Sequence, residues 1–237
     1  MRALIKQGLR DMDLERICAP NAPEHLARYG QMLLEKNRVM NLTAITEPDQ
    51  VAQLHMLDCA ALLGCCDFAG KRLLDVGTGA GFPGMVLKLL VPALDVTLLD
   101  SLNKRLDWLD EVSAALALQN IRTVHARAEE KAREDGWRES FDLVTSRAVA
   151  DLRMLCELCL PYVKVGGQML AMKSARSTEE VDAAGRAASI LGARMLPPYD
   201  YAIPGTDITH RVVRLEKVAP TPAKYPRRFA QIKKSPL

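Results

Sequence analysis

From Lys71 onward the chain alternates short apolar runs with longer amphipathic ones. "RLLDV", "DVTLLD", "IRTVHA", "FDLVTSRA" and "GGQMLAMK" read as buried strands. Between or after them, "GFPGMVLKLLV", "LNKRLDWLDEVSAALAL", "DLRMLCELCLPYV" and "STEEVDAAGRAASILG" carry helical periodicity. "RMLPPYDYAI" and "HRVVRLEKV" close the series as an expected antiparallel pair. Apolar strands alternating with helices predict an α/β fold with a mainly parallel sheet covered on both faces. Upstream, "EHLARYGQMLLEKNR" and "EPDQVAQLHMLDCAALLG" predict two helices of an N-terminal helical cap, and Pro48 suits the first turn of the second. The final stretch "APTPAKYPRRFAQIKKSPL" holds four prolines and no amphipathic period, so it reads as an arm outside the core. The expected division is a cap over 1–68, a ligand-binding α/β domain over 69–218 and the arm over 219–237.

Composition narrows the class. The 237 residues are 49% hydrophobic and 26% charged, an ordinary balance for a globular protein with a sizeable core. No apolar run reaches membrane-spanning length, and "MRALIKQGLRDMDLER" lacks the apolar centre of a signal peptide, so a cytoplasmic protein with no membrane partner is expected. "CELC" (156–159) has the spacing of half a zinc site, but no second half follows. Its place in an apolar helix favours core cysteines, and no metal is expected. Net charge is only +3, yet Lys217, Lys224, Arg227, Arg228, Lys233 and Lys234 end the chain without one acidic residue among them. The rest is therefore slightly acidic, and the basicity sits in the arm. Nothing in the sequence implies an oligomer.

The chemistry-bearing feature is "LLDVGTGAGFPG" (73–84), a strand running into four glycines within eight residues. In a doubly wound sheet, ligands bind at the carboxyl ends of the strands, beside the point where strand order reverses. A glycine turn there lets backbone approach a ligand closely. Asp100, 23 residues after Gly77 and ending the next strand, is placed to accept the hydroxyls of an adenosine ribose; "DSLNKR" also suits the start of the following helix, and the two roles are compatible. A dinucleotide would require G-x-G-x-x-G. Here the third glycine comes one residue early and Phe82-Pro83 occupy the start of the helix. Asp75-x-Gly77-x-Gly79-x-Gly81 resembles instead motif I of the class I S-adenosylmethionine (SAM) methyltransferases.

Further stretches follow in a fixed order: "NLTAIT" (41–46), "HMLDCAAL" (55–62), "LLDSLNKRLDWL" (98–109), "ARAEE" (126–130), "FDLVTSRAVADL" (141–152), "LCLPYVKVGGQMLAMK" (158–173) and "TPAKYPRR" (221–228). With the glycine turn they resemble the ribosomal RNA small-subunit methyltransferase G family, also called glucose-inhibited division protein B, over roughly residues 24 to 237. The resemblance implies a class I, Rossmann-like fold with a seven-stranded sheet, SAM as cofactor, and methylation of N7 of a guanine in 16S ribosomal RNA, presented naked, in a 30S subunit or in an assembly intermediate. It further implies that Gly77, Gly79 and Phe82 line the methionine end of the cofactor, Asp100 holds its ribose, Ala128 and Glu129 meet its adenine, and Arg147, also counted among the cofactor-binding residues, faces the methyl-transfer pocket as the catalytic residue. Phe82 is also readable as a helix-start core residue, and Glu129 as a first-turn acid. Arg147 directly follows a buried strand at the ligand end and therefore needs a partner.

Guanine N7 carries a lone pair and no proton, so proximity and alignment suffice and no general base is required. The deep major groove of A-form RNA hides N7, so the target guanine must be unpaired or splayed out. Aromatics make up only 5% of the chain, which leaves positive charge to hold the phosphates. Arg147, Lys173, Arg211, Lys224, Arg227 and Arg228 are the candidates. His55 either faces the same cleft or is a hydrogen-bonded helix histidine. A small-molecule methyltransferase, an NAD-dependent oxidoreductase and a non-catalytic RNA-binding module are the rival readings; the basic arm, the glycine spacing and the intact turn with Asp100, respectively, stand against them.

Overall fold

The apolar runs become a single mixed sheet, described for residues 1–237 by a computed structural model. Its strands are β1 (Arg72–Val76), β2 (Asp95–Asp100), β3 (Ile121–His125), β4 (Phe141–Arg147), β5 (Val163–Ser174), β6 (Ala193–Met195), β7 (Tyr199–Ala202) and β8 (Thr209–Lys217). The order across the sheet is β3-β2-β1-β4-β5-β8-β6, with β7 also on β8. β3 to β5 run parallel, and β8 is antiparallel to β5, β6 and β7. Seven positions across the sheet match the expectation, but there are eight strands. β6 pairs with Leu215–Lys217 and β7 with Thr209–Val212, so the two share one edge of β8. Pro197 and Pro198 separate them, because neither proline offers the N–H that a continuous strand would donate.

The helices are α1 (Arg2–Asp11), α2 (Ala22–Met40), α3 (Pro48–Val51), α4 (Asp58–Ala60), α5 (Gly84–Leu90), α6 (Asn103–Ala115), α7 (Ala128–Lys131), α8 (Leu152–Cys159), α9 (Thr178–Ile190) and α10 (Phe229–Lys234). A π-helical turn, Ala52–Leu57, joins α3 to α4. α1 extends the cap beyond the two helices that periodicity predicts; Ile5 and Leu9, one turn apart, bury against it. One apolar cluster joins the cap, α5, α6 and one face of the sheet, and a second joins the other face to α8 and α9. Cys156 and Cys159 are fully buried in the second cluster.

The arm departs from its expected place outside the core. Tyr225 and Ile232 join the second cluster. Arg138 donates to the carbonyls of Thr221 and Tyr225 at 2.6 and 2.9 Å, and Arg133 donates to that of Pro226. Proline strips the segment of backbone donors, and arginines of the α/β domain bind the acceptors that remain.

Candidate active site

Strand order reverses between β1 and β4, and a cleft of about 520 Å³ opens there along the carboxyl ends of β1, β2, β3 and β4. The volume suits a nucleoside-sized ligand. Gly77, Gly79, Phe82, Asp100, Ala128, Glu129 and Arg147 all line it. Lys173, Arg211, Lys224, Arg227 and Arg228 do not.

The glycine turn is organised by protein, and only part of it faces the cleft. Asp75 is fully buried; its Oδ2 accepts from Thr78 Oγ1 at 2.6 Å and from the Gly84 N–H at 2.9 Å, and Oδ1 accepts from Thr145 Oγ1 at 3.3 Å. Burial raises its carboxyl to about 6, and these hydrogen bonds pull the other way. Tyr29 of α2 donates its hydroxyl to the carbonyl of Ala80. A Cβ on Gly81 or Gly84 would stand 2.6 Å from that hydroxyl oxygen or 2.5 Å from Leu98 respectively, so these two glycines make room for protein. Gly79 differs. At φ +57 its added Cβ would meet nothing nearer than the Gly77 carbonyl at 3.9 Å, leaving open cleft beside the backbone.

Asp100, buried at 4% exposure, joins the turn to the second strand. Its Oδ2 accepts from the Gly79 N–H and its Oδ1 from the Leu102 N–H, both at 2.9 Å, with Arg105 3.6 Å away. The carboxylate thus fixes the turn that leads into α6 and keeps lone pairs for a ligand hydroxyl. An open backbone cradle at Gly79 beside a carboxylate at the end of β2 fits the methionine-to-ribose portion of SAM.

At the β4 end, Arg147 is locked in a polar cluster. Its Nη1 donates to the Leu54 carbonyl and to Asp58 Oδ2, both at 3.1 Å, and its guanidinium lies 4.8 Å from the Phe82 ring centroid. Asp58 Oδ1 also accepts from Tyr201 Oη at 2.7 Å and His210 Nδ1 at 2.8 Å. Burial pushes the Asp58 carboxyl up, but the His210 hydrogen bond, the Arg147 charge and the Tyr201 hydroxyl outweigh it and hold it below the usual range. His55, in the π turn, stacks on Phe82 with centroids 4.4 Å apart. Arg147 Nη2 approaches His55 Nδ1 at 3.1 Å, and a guanidinium only donates. His55 Nδ1 also lies 3.1 Å from the Leu54 carbonyl and Nε2 lies 2.8 Å from Thr43 Oγ1, so both ring nitrogens have protein partners. Burial, then Arg147, pushes His55 down to about 4, so the ring is neutral at physiological pH.

The remaining basic candidates are placed otherwise. Lys173 pairs with Glu180 at 2.5 Å, Arg211 grips Asp200 at 2.6 and 2.7 Å, and Arg227 forms a two-pronged pair with fully buried Glu157 at 2.9 and 2.7 Å. Lys217 is buried and donates to the carbonyls of Leu160 and Val163. Lys224 and Arg228 are exposed, as are Lys233 and Lys234. Asp58, Arg105, Arg127 and Phe229 were not among the residues expected from sequence. Asp58, Arg105 and Arg127 lie inside stretches that carry the family resemblance, whereas Phe229 falls just beyond the last of them.

A family model described as rRNA small subunit methyltransferase G matches residues 22–197. "Ribosomal RNA small subunit methyltransferase G" of Lachnoclostridium phytofermentans is 46% identical over 98% of this chain and 95% of its own. The protein of the same name from Clostridium tetani is 44% identical over 89% and 88%. A SAM-dependent O-methyltransferase from Thermotoga maritima shares the fold, with TM-score 0.54 and 17% identity over 79% of this chain and 71% of that one. With the family model covering most of its length and relatives this similar over nearly all of theirs, the chain belongs to the ribosomal RNA small subunit methyltransferase G family.

Proposed function

We propose that this chain transfers the methyl group of SAM to N7 of a guanine in 16S ribosomal RNA. The observation that carries the reading is the convergence of Gly77, Gly79, Phe82, Asp100, Ala128, Glu129 and Arg147 on one cleft at the carboxyl edge of the sheet. The start of α5 argues for SAM over a dinucleotide. A pyrophosphate needs free N–H groups at the helix N-terminus. Here the Gly84 N–H is taken by Asp75, whose buried carboxyl would repel a phosphate, and the Gly81 and Phe82 N–H groups donate to Thr78 O.

Gly79 and Asp100 would hold the amino-acid and ribose portions, and Ala128 and Glu129 the base. Bound there, SAM supplies an electrophilic methyl group, which the N7 lone pair can accept without any proton leaving the guanine. The residues of the cleft therefore need only align and exclude. His55, neutral and hydrogen-bonded, is a spacer against Phe82 and not a base. Arg147 keeps Nε–H and one Nη2–H free of protein partners, so it can donate to an acceptor on the guanine such as O6 while N7 stays open. Exposed Lys224 and Arg228, with Lys233 and Lys234, supply phosphate contacts from the arm that carries Phe229. The RNA is presented as 16S RNA, a 30S subunit or an assembly intermediate, which places the reaction in the cytoplasm.

The reading is tested by mass mapping of methyl groups on small-subunit RNA from cells lacking this protein, before and after incubation with purified chain and SAM. One N7-methylguanine should be absent at first and appear with the enzyme. An unchanged map in both arms refutes the reading.

A further inference from the structure

Phe229 stands in the wall of the cleft although it lies about a hundred residues beyond the other cofactor-site candidates on this side. The arm that carries it is tied down on both sides. Upstream, Thr221 N donates to Glu139 at 2.6 Å and Arg138 grips the Thr221 and Tyr225 carbonyls. Downstream, Ile232 is fully buried one turn after Phe229. Between them, Arg227 is clasped by Glu157 of α8. The Phe229 ring meets Arg127, whose guanidinium carbon lies 4.4 Å from the ring centroid and whose Nε donates to Glu129 at 3.1 Å. Arg127, Ala128 and Glu129 follow β3, on the far side of Asp100 from the glycine turn. A ligand with its ribose at Asp100 and its amino-acid end at Gly79 must therefore extend its base toward β3, where Phe229, Leu158 and Ala128 supply apolar wall.

From this we propose that Phe229 is a cofactor-contact residue, its ring walling the adenine side of the site, so that the C-terminal arm forms part of the SAM site. The inference rests on the SAM reading above. Arg127 holds the ring by cation–π attraction, and Glu129 holds Arg127. Because the arm must be docked for the wall to exist, SAM binding and arm docking are linked, and each stabilises the other.

The test is calorimetric titration of the full-length chain with SAM and, separately, with 5′-methylthioadenosine, which keeps the adenosine and lacks the amino-acid end. Phe229→Ala should weaken both ligands by the same factor, about tenfold, as expected for removal of an aromatic wall. Phe229→Tyr, which restores the ring, should bind within about twofold of wild type. A second measurement uses the unaltered chain: SAM should slow tryptic cleavage after Lys224 and Arg228. If the wild type binds no SAM, the cofactor reading itself fails. If the wild type binds SAM but Phe229→Ala binds it equally well, or SAM leaves arm cleavage unchanged, the assignment of Phe229 is overturned.

Discussion

Asp58 Oδ2 accepts a hydrogen bond from Arg147 Nη1 at 3.1 Å, and through it the helical cap fixes a guanidinium at the end of β4. The same carboxylate takes donors from β7 and β8, so three parts of the chain set one side chain. Asp58→Asn keeps the shape but substitutes a donor for one acceptor oxygen. Breaking a buried, hydrogen-bonded charge pair costs about 3 kcal/mol, and denaturant unfolding should show a loss of that order. Arg147→Lys keeps the charge without the planar fork. It should slow methyl transfer about a hundredfold, in line with loss of one preorganised donor, while SAM affinity measured by titration changes far less.

The two glycines nearest the cleft should respond differently. An added Cβ at Gly77 meets Val149 Cγ2 at 2.5 Å, whereas one at Gly79 enters open cleft. Both sit at positive φ, where a side chain costs about 1 kcal/mol. Gly79→Ala should therefore lose only about that much stability and still bind SAM about tenfold more weakly. Gly77→Ala should shift Val149 and disturb the loop after β4 as well. Thermal melts paired with SAM titrations distinguish the two, and equal SAM affinity for Gly79→Ala and wild type would contradict the placement of the cofactor.

Asp75 gives a pH dependence with a definite sign. Its carboxyl is raised to about 6 in the folded protein against 3.8 as the ordinary value. The folded state therefore binds the extra proton between those values, and the stability associated with it is lost as pH rises through about 6. Asp75→Asn removes this term. The unfolding free energy of wild type relative to Asp75→Asn should fall by roughly 1 kcal/mol from pH 5 to pH 7. A difference that is flat, or that rises with pH, would show that Asp75 is not held as a buried carboxyl.

The arm separates a structural role from an electrostatic one. Truncation after Pro220 removes Tyr225, Ile232 and the partner of buried Glu157, and should destabilise the fold by about 3 to 5 kcal/mol. The double variant Lys224→Ala/Arg228→Ala touches exposed side chains and should leave the melting temperature unchanged. Its affinity for small-subunit RNA should fall, with the slope of log K against log salt shrinking by about 0.7 to 0.9 for each phosphate no longer neutralised. An unchanged slope would remove the arm from the RNA-binding surface.

How much of this was legible in the sequence follows from the range of the forces involved. Strand-helix alternation records local burial, and the parallel strands and the expected helices after them form where that pattern predicts. The glycine turn and Asp100 were legible because close backbone approach leaves a spacing signature, and the hydrogen bond from Gly79 N–H to Asp100 explains that spacing physically. The edge of β8 was read as one pair because strand propensity on either side of Pro197-Pro198 outweighs two residues. The docked arm was not legible. Its holding groups are carbonyls met by Arg133 and Arg138, and a carbonyl leaves no mark in the residue type. Lys173, Arg211 and Arg227 look like free positive charge in the chain, yet each has a carboxylate partner on another element, Glu180 of α9, Asp200 of β7 and Glu157 of α8, which charge counting does not register.

The central claim is that the nucleophile is N7 of a guanine. It is tested most directly by single-turnover transfer from methyl-labelled SAM to two versions of the RNA substrate, one natural and one with 7-deazaguanine at the target position. The replacement exchanges one lone-pair nitrogen for C–H and leaves every other edge of the base in place. The natural RNA should be labelled stoichiometrically and the deaza RNA not at all, although the deaza RNA should still bind with similar affinity. Labelling of the deaza RNA at the natural rate would contradict the claim.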